Sequence, residues 1–295
     1  MKPPRASTRV FALLGDPVRH SLSPSFQNAA LEAAGVDAVY VALRCGAGEF
    51  SGLLRGIALA GGGGNVTLPH KERAVAALDD PSPAVLRTGA CNTFWNEEGR
   101  VRGDNTDVEG FRRALLRLTG GDMVPRRVLV IGAGGAARAA CAGLLELEVE
   151  EIRLRNRTVA RAEALARGMG DDRVRVEGEG EGGCFDLVVN ATRLGLEPDD
   201  PLPISPKELA GAGGVLDLVY APRGATPLVQ EANRLGVPAD DGLEMLLQQG
   251  VAAFERWTGR EAPVAVMRAA LRRERPGEGT TERREAGAQK REDRG

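Results

Sequence analysis

Ionisable side chains at strand ends are the first places to look for proton chemistry. In this chain of 295 residues, the stretch NVTLPHKERA (65–74) places His70 and Lys71 just after an apolar Val66-Thr67-Leu68 run that Pro69 closes. His70 is one of two histidines, the other being His20. Polar residues recur after other expected strands: Ser21 and Ser23, Asn65 and Thr67, Asn92, and Asn105 to Asp107. Groups repeated at strand ends can face one cleft, and clefts between domains are common substrate sites. Residue type alone does not choose between His70 and Lys71.

A second constellation binds rather than reacts. Gly132-Ala133-Gly134-Gly135-Ala136-Ala137 fits GxGxx[GA], directly after the branched run Val128-Leu129-Val130-Ile131 and at the start of an Ala/Leu helix. Gly132 permits the tight turn, Gly134 lets backbone approach a pyrophosphate, and Ala137 lets helix and strand pack closely. The phosphates would sit on amides at the helix N-terminus. An NAD site usually adds Asp or Glu about 20 residues past the glycines. Here that region reads RLRNRTVAR (153–161), with no carboxylate before Glu163. Arg155, Arg157 and Arg161 suit a phosphate dianion, so the expected cofactor is NADP, held through its 2′-phosphate.

A nicotinamide enzyme acting on an alcohol needs a group to take the hydroxyl proton as hydride leaves. A tyrosine with lysine four residues on is absent, because Tyr40 is followed at that spacing by Arg44 and Tyr220 by Gly224. The four cysteines (45, 91, 141, 184) form no CxxC pair, so neither zinc nor a disulfide scaffold is expected. A net charge of −2 with both signs mixed offers no case for nucleic acid or an anionic membrane. No apolar run reaches membrane-spanning length, and FALLG is too short for a signal h-region. The expectation is a soluble protein of a reducing cytoplasm.

The elements that must carry these residues follow from pattern. Val10–Leu14 reads as a strand, then Ser23 as an N-cap with Pro24 at N1 of a helix that Gly35 ends. Ala38–Leu43 is a strand, and Phe50, Leu53, Leu54 and Ile57 keep helical spacing. A helix should follow NVTLPHKE, a hairpin should turn at Asn96–Gly99, and a helix should run from about Val108 to Leu118. Past Pro125, strands at 128–131, 152–154, 185–189 and 215–218 alternate with helices, as in a doubly wound parallel sheet. Helices return from about Gly242. Residues 1–8 read as a loose leader, and 276–295 as a charged, disordered tail.

With these residues in view, the chain resembles the shikimate dehydrogenases. The resemblance rests on Gly15-Asp16-Pro17 with Ser21-Leu22-Ser23-Pro24, NVTLPHKE, GACNT (89–93), GDNTD (103–107), GAGGAAR, NRTVAR (156–161), NATRLG (190–195), DLVYAP (217–222) and DGLEMLLQQG (241–250), in the family's order from 10 to about 272. It implies an α/β fold with an N-terminal substrate domain and a Rossmann-type NADP domain. It also implies reversible reduction of 3-dehydroshikimate to shikimate by NADPH, in aromatic amino-acid biosynthesis. Lys71 matches the family's catalytic lysine and Asp107 its partner, the lysine serving either as proton carrier or as orienting charge. Ser21 and Ser23 match the hydroxyl pair for the substrate carboxylate, and Thr67, Asn92, Tyr220 and Gln249 match further substrate contacts. Gly132, Ala133, Gly134, Gly135 and Ala136, with Asn156, Arg157, Thr158 and Arg161, would hold the dinucleotide. Leu218 and Gly242 would lie near the nicotinamide. The expected domains are 1–107, completed by 243–275, and 108–242. The chain would act as a monomer or homodimer.

The sequence departs from the family's usual pattern at Cys91, where Val is more usual, and at Gln27, where His is frequent. Arg193 and Leu194 stand where Ser is frequent, and Arg193 is a further candidate for a phosphate.

Overall fold

The computed structural model describes residues 3–121, 124–177, 183–197, 199–221 and 224–274. The expected tail at 276–295 lies outside them. Strands β1 (Arg9–Gly15), β2 (Ala38–Arg44), β3 (Gly63–Val66), β4 (Asp80–Pro81), β5 (Thr93–Glu97) and β6 (Arg100–Asp104) form one sheet in the order β2-β1-β3-β5-β6-β4. Its first three neighbours run parallel, and β5 pairs antiparallel with both β3 and β6. Helices α1 (Ser23–Ala33), α2 (Phe50–Leu59), α3 (Lys71–Ala74) and α4 (Pro83–Thr88) are interleaved with these strands.

Helix α5 (Thr106–Leu118) then leads to a second sheet of β7 (Arg127–Ile131), β8 (Glu151–Arg155), β9 (Val174–Val176), β10 (Leu187–Asn190), β11 (Val215–Asp217) and β12 (Ala239–Asp240). Its order is β12-β11-β10-β7-β8-β9, with every neighbouring pair parallel. Numbered from its own first strand, this is the 3-2-1-4-5-6 order of a doubly wound dinucleotide fold. Helices α6 (Gly135–Glu146), α7 (Val159–Met169), α8 (Pro206–Leu209) and α9 (Pro227–Arg234) accompany it, and α10 (Gly242–Thr258) and α11 (Val264–Glu274) close the described chain.

The apolar run Val128–Ile131 is buried along its length, as a central parallel strand must be. On one face of the second sheet Val128, Val130 and Leu154 pack with Ala140, Leu144 and Phe111, while Leu129, Val188 and Leu228 form the core on the other. The returning helices serve the first sheet: Leu247, Val251, Phe254 and Met267 share an apolar cluster with Phe11, Leu13 and Phe26.

Several local expectations are corrected. The strand before the His-Lys pair is not Val66–Leu68 but Gly63–Val66, and Leu68 is 60% exposed. Glycine is required there because a Cβ on Gly64 would stand 1.9 Å from the Ala12 carbonyl oxygen. The helix after it is one turn, α3, continued by a 3-10 turn at Val75–Ala77. Ser23 is not the N-cap of α1 but its first residue, after an uncapped Leu22, and its N–H donates to Ser21 Oγ at 3.2 Å. Helix α5 starts at Thr106 because Asn105 caps it, so Asp107 stands in a first helical turn rather than in a loop. The hairpin forms as expected, with positive φ at Glu98 and Gly99 between the paired Glu97 and Arg100.

Candidate active site

The carboxyl ends of both sheets' central strands open on one cavity of about 420 Å³. Ser21, Ser23, Thr67, Lys71, Asn92, Asp107, Tyr220 and Gln249 all line it, joined by Leu218, Gly242 and Ala136. Eight residues expected at one substrate, drawn from stretches 228 positions apart, therefore meet in space.

Each is held by an identifiable local device. Lys71 opens α3, and its carbonyl accepts from the Cys91 N–H at 2.9 Å, tying its backbone to the segment that carries Asn92. Lys71 Nζ donates to Asp107 Oδ2 at 2.6 Å. Asn92 Nδ2 donates to Asp107 Oδ1 at 2.8 Å. The first turn of α5 adds its own favourable field to this carboxylate, since exposed helical N–H groups carry partial positive charge. Asn92 is itself locked, because its Oδ1 accepts from Thr106 N at 2.7 Å and Thr106 Oγ1 at 3.1 Å. Both lysine and carboxylate are mostly shielded, with 22% and 10% of their side chains exposed, so the pair is weakly screened.

Gln249 reaches this group because α5 and α10 cross closely. A Cβ on Gly110 would stand 2.8 Å from the Gln249 backbone nitrogen, so only glycine allows the approach. Gln249 Oε1 then accepts from Asn92 Nδ2 at 3.4 Å. The crossing is pinned further out by Arg256 on α10, which bridges Asp104 and Glu109. Gln27, the residue that replaces a frequent His, is fully buried and donates to the Gly250 carbonyl at 3.0 Å, tying α1 to α10.

His70 takes no part in lining the cavity. It is 2% exposed, stacks on Phe50 with ring centroids 4.5 Å apart, and has Nε2 2.9 Å from the Cys45 carbonyl. Its work is to fix the turn that aims Lys71. Cys91 is buried, its Sγ donates to the Thr93 carbonyl at 3.1 Å, and burial pushes its thiol up to about 12, which makes it an inert packing residue.

Sequence reading named Asn65 without a role and missed His20, Met245 and Leu246, all of which line the cavity. A signal for the last two was available: Gly242, Met245, Leu246 and Gln249 are spaced i, i+3, i+4, i+7 and share one face of α10. Asn65 accepts from Tyr40 Oη at 2.8 Å, so buried Tyr40 supports the wall rather than the chemistry.

The remaining expected residues lie outside this cavity, at the carboxyl edge of the second sheet. Gly132 (φ +118°) must be glycine, since a Cβ would stand 2.7 Å from the Ala191 carbonyl. Gly134 and Gly135 have nothing within 4 Å of a Cβ position, and no side chain caps α6. The result is an open cradle of helix N-terminal amides, which fits a pyrophosphate. Past β8, Asn156 Nδ2 donates to the Thr158 carbonyl at 2.8 Å and shapes the turn. Arg157 and Arg161 are exposed, with no ion-pair partner among the described residues, and fit a phosphate monoester. Arg155 is the exception. It is taken up by Glu177 and by Glu208 at 2.7 Å, which hold its guanidinium well above its usual range, and it is not available to a phosphate. Among the described residues no cluster of three or more metal-ligating side chains occurs, and no helix is long and apolar enough to cross a membrane.

An open doubly wound sheet with a bare glycine cradle, beside a cavity holding a shielded lysine–carboxylate pair, defines a Rossmann-type pyridine-nucleotide oxidoreductase. Family models narrow this. The shikimate dehydrogenase substrate binding domain matches residues 13–94, the shikimate/quinate 5-dehydrogenase model matches 115–178, and the shikimate 5′-dehydrogenase C-terminal domain matches 242–272. The NADP(+) shikimate dehydrogenase of Moorella thermoacetica is 43% identical, covering 91% of this chain and 94% of that protein. That of Rubrobacter xylanophilus is 44% identical, covering 90% and 95%. Shikimate 5-dehydrogenase from Thermus thermophilus, solved with NADP(H) and shikimate, superposes with a TM-score of 0.82 at 40% identity, covering 90% of this chain and all of that one. The chain belongs to the shikimate dehydrogenase family.

Proposed function

We propose that the protein is an NADP-dependent shikimate dehydrogenase that reduces the ring ketone of 3-dehydroshikimate to the hydroxyl of shikimate, reversibly, in the route to aromatic amino acids. The observation that carries this is the Lys71–Asp107 contact inside a cavity that also gathers Ser21, Ser23, Thr67, Asn92, Tyr220 and Gln249. When bound, NADPH supplies hydride to the carbonyl carbon.

The chain's own residues do the rest. Lys71 stands where it can hydrogen-bond the carbonyl oxygen, stabilising negative charge as it develops and delivering the proton that completes the hydroxyl. Asp107 holds the ammonium in place and can accept from a neighbouring ring hydroxyl. Asn92, with donors on both Asp107 and Gln249, sets the angle of both. Ser21, two residues before α1, and Ser23, the first residue of α1, bind the substrate carboxylate, where two hydroxyl donors add to the positive end of the helix. Thr67, Tyr220 and Gln249 complete the contacts to the ring. Gly132, Ala133, Gly134, Gly135 and Ala136 take the pyrophosphate, Asn156, Arg157, Thr158 and Arg161 the adenosine 2′-phosphate, and Leu218 and Gly242 the nicotinamide side.

The unit that recognises substrate comprises 1–107 with 243–275, and 108–242 carries the cofactor. The two sheets and the packing of α10 and α11 against α1 and β1 support this division. We assign the protein to the cytoplasm as a monomer or homodimer acting on a small molecule, without nucleic acid or membrane as partner. Its near-balanced charge of −2 supports the absence of nucleic acid or an anionic membrane as partner.

Initial rates with shikimate or quinate, each with NADP⁺ or NAD⁺, test the reading. Shikimate with NADP⁺ should be the preferred pair. Preference for quinate or NAD⁺ would favour a quinate/shikimate enzyme, and NADPH binding without turnover on either acid would leave only a regulatory binding protein.

A further inference from the structure

One buried carboxylate plays no part in the chemistry above. Asp217 ends β11 with no exposed surface. Its Oδ1 accepts from Asn190 Nδ2 at 2.8 Å and from the Val219 N–H at 3.1 Å. Its Oδ2 accepts from Thr226 Oγ1 at 2.6 Å. These neutral donors come from three places: the end of β10, the segment after β11, and the cap of α9. Burial raises the Asp217 carboxyl to about 6, and the negative charge of nearby Asp241 adds to the rise. A buried carboxylate held by neutral donors is expensive. Its compensation is capacity, since an ionised carboxylate can accept all three hydrogen bonds at once.

The segments it joins converge on the cofactor side of the cavity. Beyond Asn190, the loop is folded by Asn190 Nδ2 on the Leu194 carbonyl at 3.0 Å and by Thr192 Oγ1 on Asn190 Oδ1 at 2.7 Å. That loop leans on Gly132 of the phosphate cradle through Ala191. Beyond Asp217, Leu218 and Tyr220 stand in the cavity wall. The Val219 carbonyl accepts from the Gly242 N–H at 2.9 Å, and a Cβ on Gly242 would stand 2.5 Å from the Leu218 carbonyl. Leu218 is thus held between Asp217 and the start of α10. The adenosine side of a doubly wound site lies over the second strand, here β8. β10 and β11 flank β7 on the opposite side, so this wall belongs to the nicotinamide half.

We propose that Asp217 is a positioning residue, whose carboxylate fastens the loops after β10 and β11 into one wall that orients the nicotinamide half of the cofactor. The inference rests on the NADP-dehydrogenase reading, and on hydrogen bonds that touch neither substrate nor cofactor.

Direct binding separates this role from a merely structural one. Titration of Asp217→Ala with NADPH, followed by cofactor fluorescence, should show affinity weakened about tenfold, the loss expected when buried donors are left unpaired. Titration with 2′,5′-ADP, a probe that occupies only the adenosine half, should change by less than about twofold. Asp217→Asn should recover most of the NADPH affinity, because an amide can accept from Asn190 and Val219 while donating to Thr226 Oγ1. Should Asp217→Ala not fold, Asn190→Ala removes the tie from the other side and should shift the two probes in the same unequal way. Equal weakening of both probes, or no change in either, would overturn the proposal. A wild-type protein that binds 2′,5′-ADP but not NADPH, or neither, would instead overturn the cofactor reading beneath it.

Discussion

Removing Lys71 is the perturbation whose outcome the geometry constrains best. Its ammonium lies 2.6 Å from the Asp107 carboxylate, with 22% and 10% of the two side chains exposed. At that distance the Coulomb attraction is about 1.6 kcal/mol in a water-like dielectric and about 6 kcal/mol at an effective dielectric of about 20. Partial exposure and desolvation reduce what is measured, so a coupling of about 2 kcal/mol between the groups is expected, a factor of about 30. Positioned acid–base groups contribute about 10²- to 10⁴-fold to rate. Lys71→Ala should therefore lower kcat for shikimate oxidation by two to four orders of magnitude. KM should move far less, because Ser21, Ser23 and Tyr220 still line the cavity. Asp107→Asn should lose a comparable factor, and the double variant should lose less than the product of the two single losses, by about the 30-fold coupling. Steady-state rates with NADP⁺ for the four proteins complete the cycle. Multiplying losses in the double variant would refute the claim that the two groups act as a unit, and near-normal turnover by Lys71→Ala would refute the assigned role altogether.

Two further outcomes follow from the charges. Replacing Arg157 and Arg161 with Gln should raise KM for NADP⁺ by about 10- to 100-fold, the loss of one or two charge-assisted phosphate contacts, and leave KM for NAD⁺ nearly unchanged; a parallel loss with both cofactors would place the 2′-phosphate elsewhere. Asp217, raised from its usual 3.8 to about 6 in the folded state, stabilises the fold fully below its unfolded value and loses that contribution as pH rises through about 6. Urea unfolding of wild type against Asp217→Asn should thus show wild type gaining up to about 3 kcal/mol relative to the variant as pH falls from neutral to about 4, and a pH-independent difference would show the carboxyl to be unperturbed.

What was legible in the sequence was what short-range rules specify. The glycine cradle, the branched strand before it and the alternation of strands and helices after Pro125 are local patterns, and they gave the second sheet. The failures were non-local. Gly63–Val66 is a strand because it pairs between β1 and β5, with the Ala12 backbone too close to Gly64 for any side chain, a long-range pairing that no propensity scale registers. Arg155 resembled a phosphate ligand until β9 and α8 brought Glu177 and Glu208 to it. Ser23 carries a good capping side chain, yet the helix begins on it, with Ser21 Oγ taking its N–H. At the site, residue type alone could not choose between His70 and Lys71. Packing separates them, because Phe50 and the Cys45 carbonyl hold the histidine away from the cavity while the lysine, one residue later, turns into it. Asp217 escaped notice because two of its three donors lie 27 residues before it and 9 after, and only the fold joins them.

The central claim is that this cavity reduces the 3-dehydroshikimate ketone with NADPH. The most direct measurement mixes purified protein with 3-dehydroshikimate and NADPH, follows the loss of NADPH absorbance, and quantifies shikimate by chromatography. One shikimate formed per NADPH consumed, at a rate abolished or nearly so by Lys71→Ala, is the predicted result. NADPH consumption without shikimate, or no consumption by a folded protein that binds NADPH, would contradict the account.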